Sequence, residues 1–468
     1  MFVNREKELR MLEKRYAKGA SEFLIIYGRR RVGKTELIRH FVKSKPHIYF
    51  LADKRSEKEQ LELFSLLCQE HFTDPLLTLQ PFNSWDVAFT YLSQKIESLK
   101  ETMVLVFDEF PYLAQINPAL PSILQRYWDT SFNEKKIFFI LCGSSMSFME
   151  KEVLSYKSPL YGRRTGQLLV KPFNFLQTKE FFPGKNLIEL VEIASVFGSL
   201  PQYLRCVSPE MDIFDNIREN ILAPDKLLFR EVPFILMEEL RSPQNYFAIL
   251  KAISFGKTKT NGIVQITGLD RGMVGKYLDV LISLGLIERK VPVTQKNPAK
   301  SRKGIYLLND NFFRFWFRFV YPHLSYLEEG RQDYVMDIIR RDFDTYVGQT
   351  FEPIAREYLI HSMPELSFER IGAFWDGQQE IDIIGINDEK KEILFGECKW
   401  TNKPVDRDVF FALLQKKERV LWYKKERKEY FCICSKNGFT EQMKVLAKDK
   451  GVLLIDFSEG LGAIKVKS

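Results

Sequence analysis

The chain has 468 residues, 45% of them hydrophobic and 14% aromatic, and a formal net charge of +8. That length suggests about three domains at roughly 150 residues each, and a charge this mild only permits a polyanionic partner rather than demanding one. No run is apolar and long enough to span a bilayer, and the charged start, Met-Phe-Val-Asn-Arg-Glu-Lys-Glu, has no apolar signal segment. A cytoplasmic protein with no membrane partner is therefore expected. The six cysteines (Cys68, Cys142, Cys206, Cys398, Cys432, Cys434) make no C-x-x-C pair, and the five histidines are scattered. Both observations argue against a zinc site or a disulfide framework and for buried, reduced thiols.

Residues 2–16 predict an amphipathic helix, with Leu9, Leu12 and Tyr16 on one face and Asn4 as its N-cap. It either covers a sheet edge or forms the lip of an adenine pocket. An apolar run, 23–27, then predicts a buried strand, followed by a glycine loop and a helix opening at Lys34. Gly28, Gly33, Lys34 and Thr35 fit G-x-x-x-x-G-K-[ST], and strand before and helix after is the context this phosphate-binding motif requires. The glycines let successive N–H groups wrap a phosphate, and the helix start adds its positive end. Lys34 would meet the β- and γ-phosphates of ATP and Thr35 would ligate Mg²⁺. Arg29, Arg30, Arg31, Val32 and Glu36 complete the expected nucleotide-binding stretch.

Residues 47–51 predict a short strand, and 57–71 and 83–99 helices. Residues 103–110, Met-Val-Leu-Val-Phe-Asp-Glu-Phe, are an apolar strand ending in two acids. After a P-loop this reads as a Walker B strand. Asp108 would reach the Mg²⁺ shell, and Glu109 would orient and polarise the attacking water. A further buried strand, 136–142, ends in Gly143-Ser144-Ser145, where Ser144 would either touch the γ-phosphate or cap the next helix. The basic turn 159–166 presents Arg163 and Arg164, placed to stabilise a transferring phosphoryl group, to hold DNA phosphate, or simply to be solvated.

Six stretches in this order carry a resemblance: Phe2-Val3-Asn4-Arg5-Glu6, residues 28–35, Phe107-Asp108-Glu109-Phe110, Cys142-Gly143-Ser144-Ser145, Leu160-Tyr161-Gly162-Arg163-Arg164, and Gly198-Ser199-Leu200-Pro201-Gln202-Tyr203-Leu204. The chain resembles the archaeal-type ATPase family, near the AAA+ and STAND classes of P-loop proteins. The resemblance implies a sheet whose Walker A and B strands are separated by another strand, and a small helical lid holding the last of these stretches. Ser199 departs from the pattern, where a second glycine is expected.

Residues 244–321 change character. Helices are predicted at 246–253, 264–269 and 271–284, the last capped by Asp270, and a hairpin is predicted at 286–290 and 304–308. That order makes a winged helix-turn-helix. Lys296, Lys300, Arg302 and Lys303 lie between the strands, near Arg289 and Lys290, with Arg271 and Lys276 on the third helix. This segment would either contact DNA phosphates or serve as a packing module. Residues 309–321 predict a buried helix rather than a stacking platform.

The last third reads helix (331–361), strands (367–375, 379–385, 391–400), helix (405–417), strand (430–434). Asp382 is an acid inside an apolar strand, and Glu397 and Lys399 point to one side of the next. Buried acids need a cation, so Asp382 and Glu397 would hold Mg²⁺, with Glu352 adding a contact through water. Lys399 would orient or deprotonate the attacking water at a phosphodiester. Lys416 is a further candidate with no assigned role. Asp382…Glu397-x-Lys399 is similar to the signature of the PD-(D/E)xK nuclease superfamily, although Ile381 stands where proline is expected. The other reading is a salt-bridged pair in an inactive relic.

The expected fold class is α/β. It comprises a P-loop NTPase sheet (1–175) with a helical lid (176–240), a winged helix-turn-helix (241–325) and a C-terminal restriction-endonuclease-like α/β domain (340–468). The expected function is ATP binding and hydrolysis by a protein acting on DNA through a Mg²⁺-dependent nuclease-like domain. The alternative is a STAND-like nucleotide-dependent regulatory switch with an inactive docking module. ATP, DNA and a second copy of the chain are the expected partners.

Overall fold

The computed structural model describes residues 3–240, 242–362 and 368–459. Phe2 at the expected first helix, Arg241 at the start of the expected winged segment, Ser367 at the start of an expected strand, and the end of the C-terminal segment lie outside the described residues. The chain divides into two compact units, Met1–Pro172 and Phe173–Ser468.

The first unit is built on a five-stranded parallel sheet ordered β2-β3-β4-β1-β5. Its strands are β1 (Glu22–Tyr27), β2 (His47–Leu51), β3 (Met103–Asp108), β4 (Ile137–Gly143) and β5 (Gly166–Leu169). β1, β3 and β4 are buried along their whole length, as strands covered by helices on both faces must be. Register aligns their C-terminal ends: Tyr27 lies beside Gly143, Phe107 beside Leu141, and Leu51 beside Asp108. The loops leaving β1, β3 and β4 therefore open on one edge, where ligands of parallel sheets bind. Phe50, Phe64, Trp85 and Phe107 pack beneath that edge, with ring centres 5.3–6.1 Å apart.

The first helix, α1, runs Glu6–Tyr16 and starts later than expected. Asn4 is buried in a left-handed conformation (φ 60°) instead of capping it. The N-cap position falls to Arg5, whose side chain makes no capping bond. α2 is Lys34–Val42.

The second unit begins with short helices and Leu187–Phe197. Pro243–Ser254, Thr260–Thr267 and Arg271–Ser283 follow, then an antiparallel hairpin of β6 (Ile287–Lys290) and β7 (Ile305–Leu308). The middle helix starts at Thr260 rather than 264 and ends on Gly268, whose φ of 68° suits a left-handed C-cap. Asp270 accepts from Gly272 N and Met273 N and caps the third helix, as expected. The aromatics of 312–319 are core, with Trp316 Nε1 donating to Phe229 O at 2.8 Å.

A 31-residue helix, Gln332–Ser362, leads into a mixed sheet. The sheet comprises β8 (Arg370–Trp375), β9 (Glu380–Asn387), β10 (Glu392–Lys399), β11 (Lys428–Ser435) and β12 (Val452–Asp456), ordered β12-β11-β10-β9-β8. β8, β9 and β10 are antiparallel neighbours, and β10, β11 and β12 parallel ones. The closing pair, helix Glu441–Lys450 and β12, extends the expected order by a further α-β step.

Candidate functional site

The phosphate loop is held open by its backbone. A Cβ on Gly28 would lie 2.3 Å from the Val170 carbonyl oxygen, so the chain passes there only as glycine. Arg31 (φ 69°) and Gly33 (φ 89°) are left-handed, turning N–H groups toward the concave side of the loop. α2 then starts at Lys34, where a helix's first amides point outward along its axis, and the Glu36 side chain is exposed. Val32 is buried and anchors the loop from below. Lys34, 5% exposed, folds its ammonium back onto Gly28 O (2.9 Å) and Arg29 O (3.0 Å). Arg30 donates to the Tyr112 hydroxyl at 3.1 Å.

The acids of β3 meet this loop. Asp108 is fully buried, and its Oδ2 accepts from Thr35 Oγ1 at 2.8 Å and from the Tyr49 hydroxyl. Its Oδ1 accepts from Glu109 N at 2.9 Å. Glu109 leaves the strand in a left-handed conformation (φ 54°), rare for a side chain this large. Its Oε2 accepts from Ser144 Oγ at 2.8 Å. Thr35, Asp108, Glu109 and Ser144 are thus brought together, and Ser144 spends its hydroxyl on Glu109 rather than on a helix cap. Burial, and then the charge of Asp108, push the Tyr49 hydroxyl's pKa up, which keeps it a proton donor.

The two arginines of the basic turn are engaged elsewhere in this structure. Arg163 pairs with Asp129 (Nη2–Oδ2 3.0 Å). Arg164 donates to Leu154 O at 3.2 Å and lies 5.3 Å from the Tyr161 ring centre.

Arg5 and Tyr49 were not anticipated as site residues. Arg5, 4% exposed, donates Nη2 to Val32 O (2.7 Å) and Lys171 O (2.9 Å), and Nη1 to Glu8 (2.9 Å). It clamps the phosphate loop from outside. Alternation along β2 places Tyr49 opposite to the buried Phe50, a signal legible only once Asp108 is known to be its neighbour.

The second cluster lies in the second unit. β9 and β10 pair up to Gly396 with Ile383, so the next step of the register sets Glu397 opposite Asp382. Residues directly opposite share a face. Glu397, 2% exposed, accepts from Lys399 Nζ (3.1 Å) and Lys416 Nζ (2.6 Å), one lysine on each oxygen. Asp382 Oδ2 accepts from Cys398 N at 2.8 Å, and Arg356 of the long helix donates to the Asp382 carbonyl. Burial and then Glu397's charge raise the Asp382 pKa; burial and then Asp382's charge raise that of Glu352. Burial opposes the Lys399 ammonium, but the charge and hydrogen bond of Glu397, with the charge of Asp382, raise its pKa on balance.

All the expected residues share this neighbourhood, and Lys416 joins them. They do not form a closed three-carboxylate cage: among the described residues, no group of three or more His, Cys, Asp or Glu converges to hold a metal ion. Of the basic residues on the hairpin, Arg289 braces the loop through Pro298 O and Ser301 O, and Lys290 pairs with Glu288. Lys296, Lys300, Arg302 and Lys303 are exposed. Among the described residues no helix is long and apolar enough to cross a membrane.

Comparison with known proteins places the two clusters in two different family matches. Residues 2–207 match an ATPase domain found predominantly in Archaea, and residues 316–418 match a family of archaeal and bacterial proteins of unknown function. Among solved structures, the Walker-type ATPase of Pyrococcus abyssi is 25% identical, covering 68% of this chain and 96% of its own, with a TM-score of 0.47. The ORC2 protein of Aeropyrum pernix, solved in ADPNP–ADP complexes, is 14% identical, covering 72% and 95%, with a TM-score of 0.48. An uncharacterized protein of Methanocaldococcus jannaschii is 37% identical over 466 residues, 98% of this chain and 100% of its own length. With the phosphate loop, the acids of β3 and the parallel sheet that joins them, the chain belongs to the archaeal family of P-loop ATPases.

Proposed function

We propose that this ATPase uses ATP with Mg²⁺ to act on DNA, and that its C-terminal sheet carries a Mg²⁺-dependent phosphodiester-cleaving site. In this reading 1–175 is the ATPase core, 176–240 a helical lid, 241–325 a winged helix and 340–468 the nuclease-like domain, in a protein that self-associates. The ATP half is supported by donor chemistry. The Thr35 hydroxyl and Asp108 carboxylate, 2.8 Å apart, are hard oxygen donors of the kind Mg²⁺ takes. Those two groups would hold Mg²⁺, which would supply charge neutralisation at the phosphates. Lys34 exchanges the carbonyls of Gly28 and Arg29 for the β- and γ-phosphates. Glu109, released by Ser144, orients and polarises the attacking water. Ser144 then faces the γ-phosphate, and Arg163 or Arg164 steadies the phosphoryl charge.

The observation that carries the cleaving half is the joining of Asp382 and Glu397 across adjacent strands, with two lysines on Glu397 and the nearby Glu352 carboxyl pushed toward its neutral form. Mg²⁺ commonly takes only one or two protein carboxylates, completed by water and substrate phosphate. Asp382 and Glu397 therefore fit it without a third acid, and Glu352 contributes through water. A metal held by Asp382 and Glu397 would supply an activated water. Lys399 orients or deprotonates that water, and Lys416 balances Glu397.

A second reading, a nucleotide-operated switch with an inert docking module, is favoured by one fact: both oxygens of Glu397 are already paired with lysines. The deciding experiment incubates the purified chain with supercoiled, linear, branched and single-stranded DNA, with Mg²⁺ or Mn²⁺, with and without ATP. We expect cleavage that Lys399→Ala abolishes while ATP hydrolysis persists, and hydrolysis that Lys34→Ala abolishes. Intact DNA in every condition, with no Mn²⁺ uptake by calorimetry, removes the nuclease and leaves the switch.

A further inference from the structure

The β6–β7 connection leans on the C-terminal sheet. Val293 N donates to Ala373 O at 3.0 Å, Arg370 Nη1 to Val293 O at 3.2 Å, and Trp375 Nε1 to Lys303 O at 3.2 Å. Between the two segments lies a cleft of about 730 Å³ whose walls include Lys296, Lys303, Phe374, Arg419, Trp422 and Tyr423. That volume falls in the range of small-ligand sites.

Its chemistry is divided. Among the described residues the one acid on the wall, Asp376, is neutralised by Arg419 (Nε–Oδ2 2.5 Å). Lys296 and Lys303 are exposed, and neither has an ion-pair partner among the described residues. Two unbalanced ammonium groups over a cleft are a place for phosphate. The floor is aromatic: Phe374 and Trp422 are 6% and 9% exposed, and Trp422 is fixed by its Nε1 bond to Asp388 Oδ1 at 3.0 Å. Tyr423 differs from both. It is 40% exposed and sits at φ 39°, a left-handed conformation that a bulky residue seldom adopts without a reason. The surrounding backbone thus holds a partly exposed aromatic ring on the cleft wall, with Trp422 edge-on beside it (4.9 Å between ring centres) and the Lys391 ammonium 5.4 Å from its centre.

Flat rings next to bare cations suit phosphate-linked bases whose faces are free. Bases in a duplex have no free face to offer, so this pairing of groups selects an unpaired strand. We propose that this cleft binds an unpaired segment of DNA, with a base on Tyr423 and the backbone phosphates on Lys296 and Lys303. The proposal rests on the reading that the chain acts on DNA and names the form of DNA it holds.

The test is binding by the full-length protein in EDTA, where no metal-dependent cleavage occurs, followed by fluorescence anisotropy of a labelled twelve-nucleotide oligomer. The single strand should bind at least tenfold more tightly than its duplex. Tyr423→Ala should weaken the single strand about tenfold and Tyr423→Phe should not. Lys296→Glu with Lys303→Glu should weaken it further and flatten its salt dependence by about 1.4 in log–log slope. Melting curves establish that each variant is folded. Equal binding of duplex and single strand, unchanged affinity in the folded variants, or competition by free dAMP as effective as by the oligomer overturns the proposal. Cleavage without these effects removes the cleft alone. Single-strand binding without cleavage removes the nuclease alone.

Discussion

Replacing Arg5 with alanine tests whether the phosphate loop depends on its external clamp. The guanidinium makes two charge-assisted bonds to backbone carbonyls, Val32 O at 2.7 Å and Lys171 O at 2.9 Å, besides its pair with Glu8. Bonds from a charged donor contribute roughly 1.5–3 kcal/mol each, so losing both costs about 3–6 kcal/mol. Removing a buried charge returns part of that, because burial already works against the guanidinium and lowers its pKa. A net loss of about 3 kcal/mol follows, which for a unit of this size lowers the melting temperature by about 6–12 °C. The Val32 carbonyl also sits inside the nucleotide-binding stretch, so affinity for a fluorescent ADP analogue should fall about tenfold. Arg5→Lys should recover less than half of either effect, since a single ammonium does not reproduce the planar fork. Scanning fluorimetry with and without Mg-ADP reads the first quantity and a fluorescence titration the second. A melting point within about 1 °C of wild type, together with unchanged affinity, would refute the clamp and mean that water satisfies both carbonyls.

Burial pushes the Glu192 carboxyl up to about 7, against the pull of Lys436 and with added repulsion from Asp344. The folded state therefore holds this proton more tightly than the unfolded chain does, and the stability it confers is lost as pH rises from about 4.5 to about 7. Glu192→Gln should leave the urea midpoint nearly unchanged at pH 4.5 and gain about 1–2 kcal/mol at pH 8, a figure reduced for partial solvent screening. An equal shift at both pH values would contradict this. Gly28→Ala drives a Cβ to 2.3 Å from Val170 O. It should cost about 2–3 kcal/mol and abolish nucleotide binding. Normal ADP affinity in that variant would show that the loop re-forms without the contact.

The first unit was legible because its signals are local. Apolar runs ending in Gly28, Asp108 and Gly143 predict buried parallel strands, and their aligned ends bring Thr35, Asp108, Glu109 and Ser144 together. Contacts between residues far apart in sequence left no such trace. Arg5 reaches Val32 and Lys171 across the fold, and a lone arginine before a helix reads as solvated. Tyr49 reads as one more strand aromatic until β2 is paired with β3. The first helix was misread at its start because Asn4 is a common cap residue, whereas here the entry of Arg5 into the interior forces Asn4 into a left-handed turn. In the second unit, alternation put Glu397 and Lys399 on one face. The arrival of Lys416 from the helix Arg407–Lys417 and of Arg356 from Gln332–Ser362 is a matter of tertiary packing.

That last helix has a mechanical consequence. Its 31 residues make a rod of about 46 Å. Near its middle, Tyr346 bonds to Ser195 O (2.7 Å) and Thr350 to Ser195 Oγ (2.5 Å), on the helix Leu187–Phe197. Arg356, within two turns, grips the Asp382 carbonyl. One axle is thus pinned at both places, with Gly348 and Pro353 as weak points along that stretch. Any torque on Leu187–Phe197 is delivered to the acidic strand pair, which must turn with it or surrender its arginine.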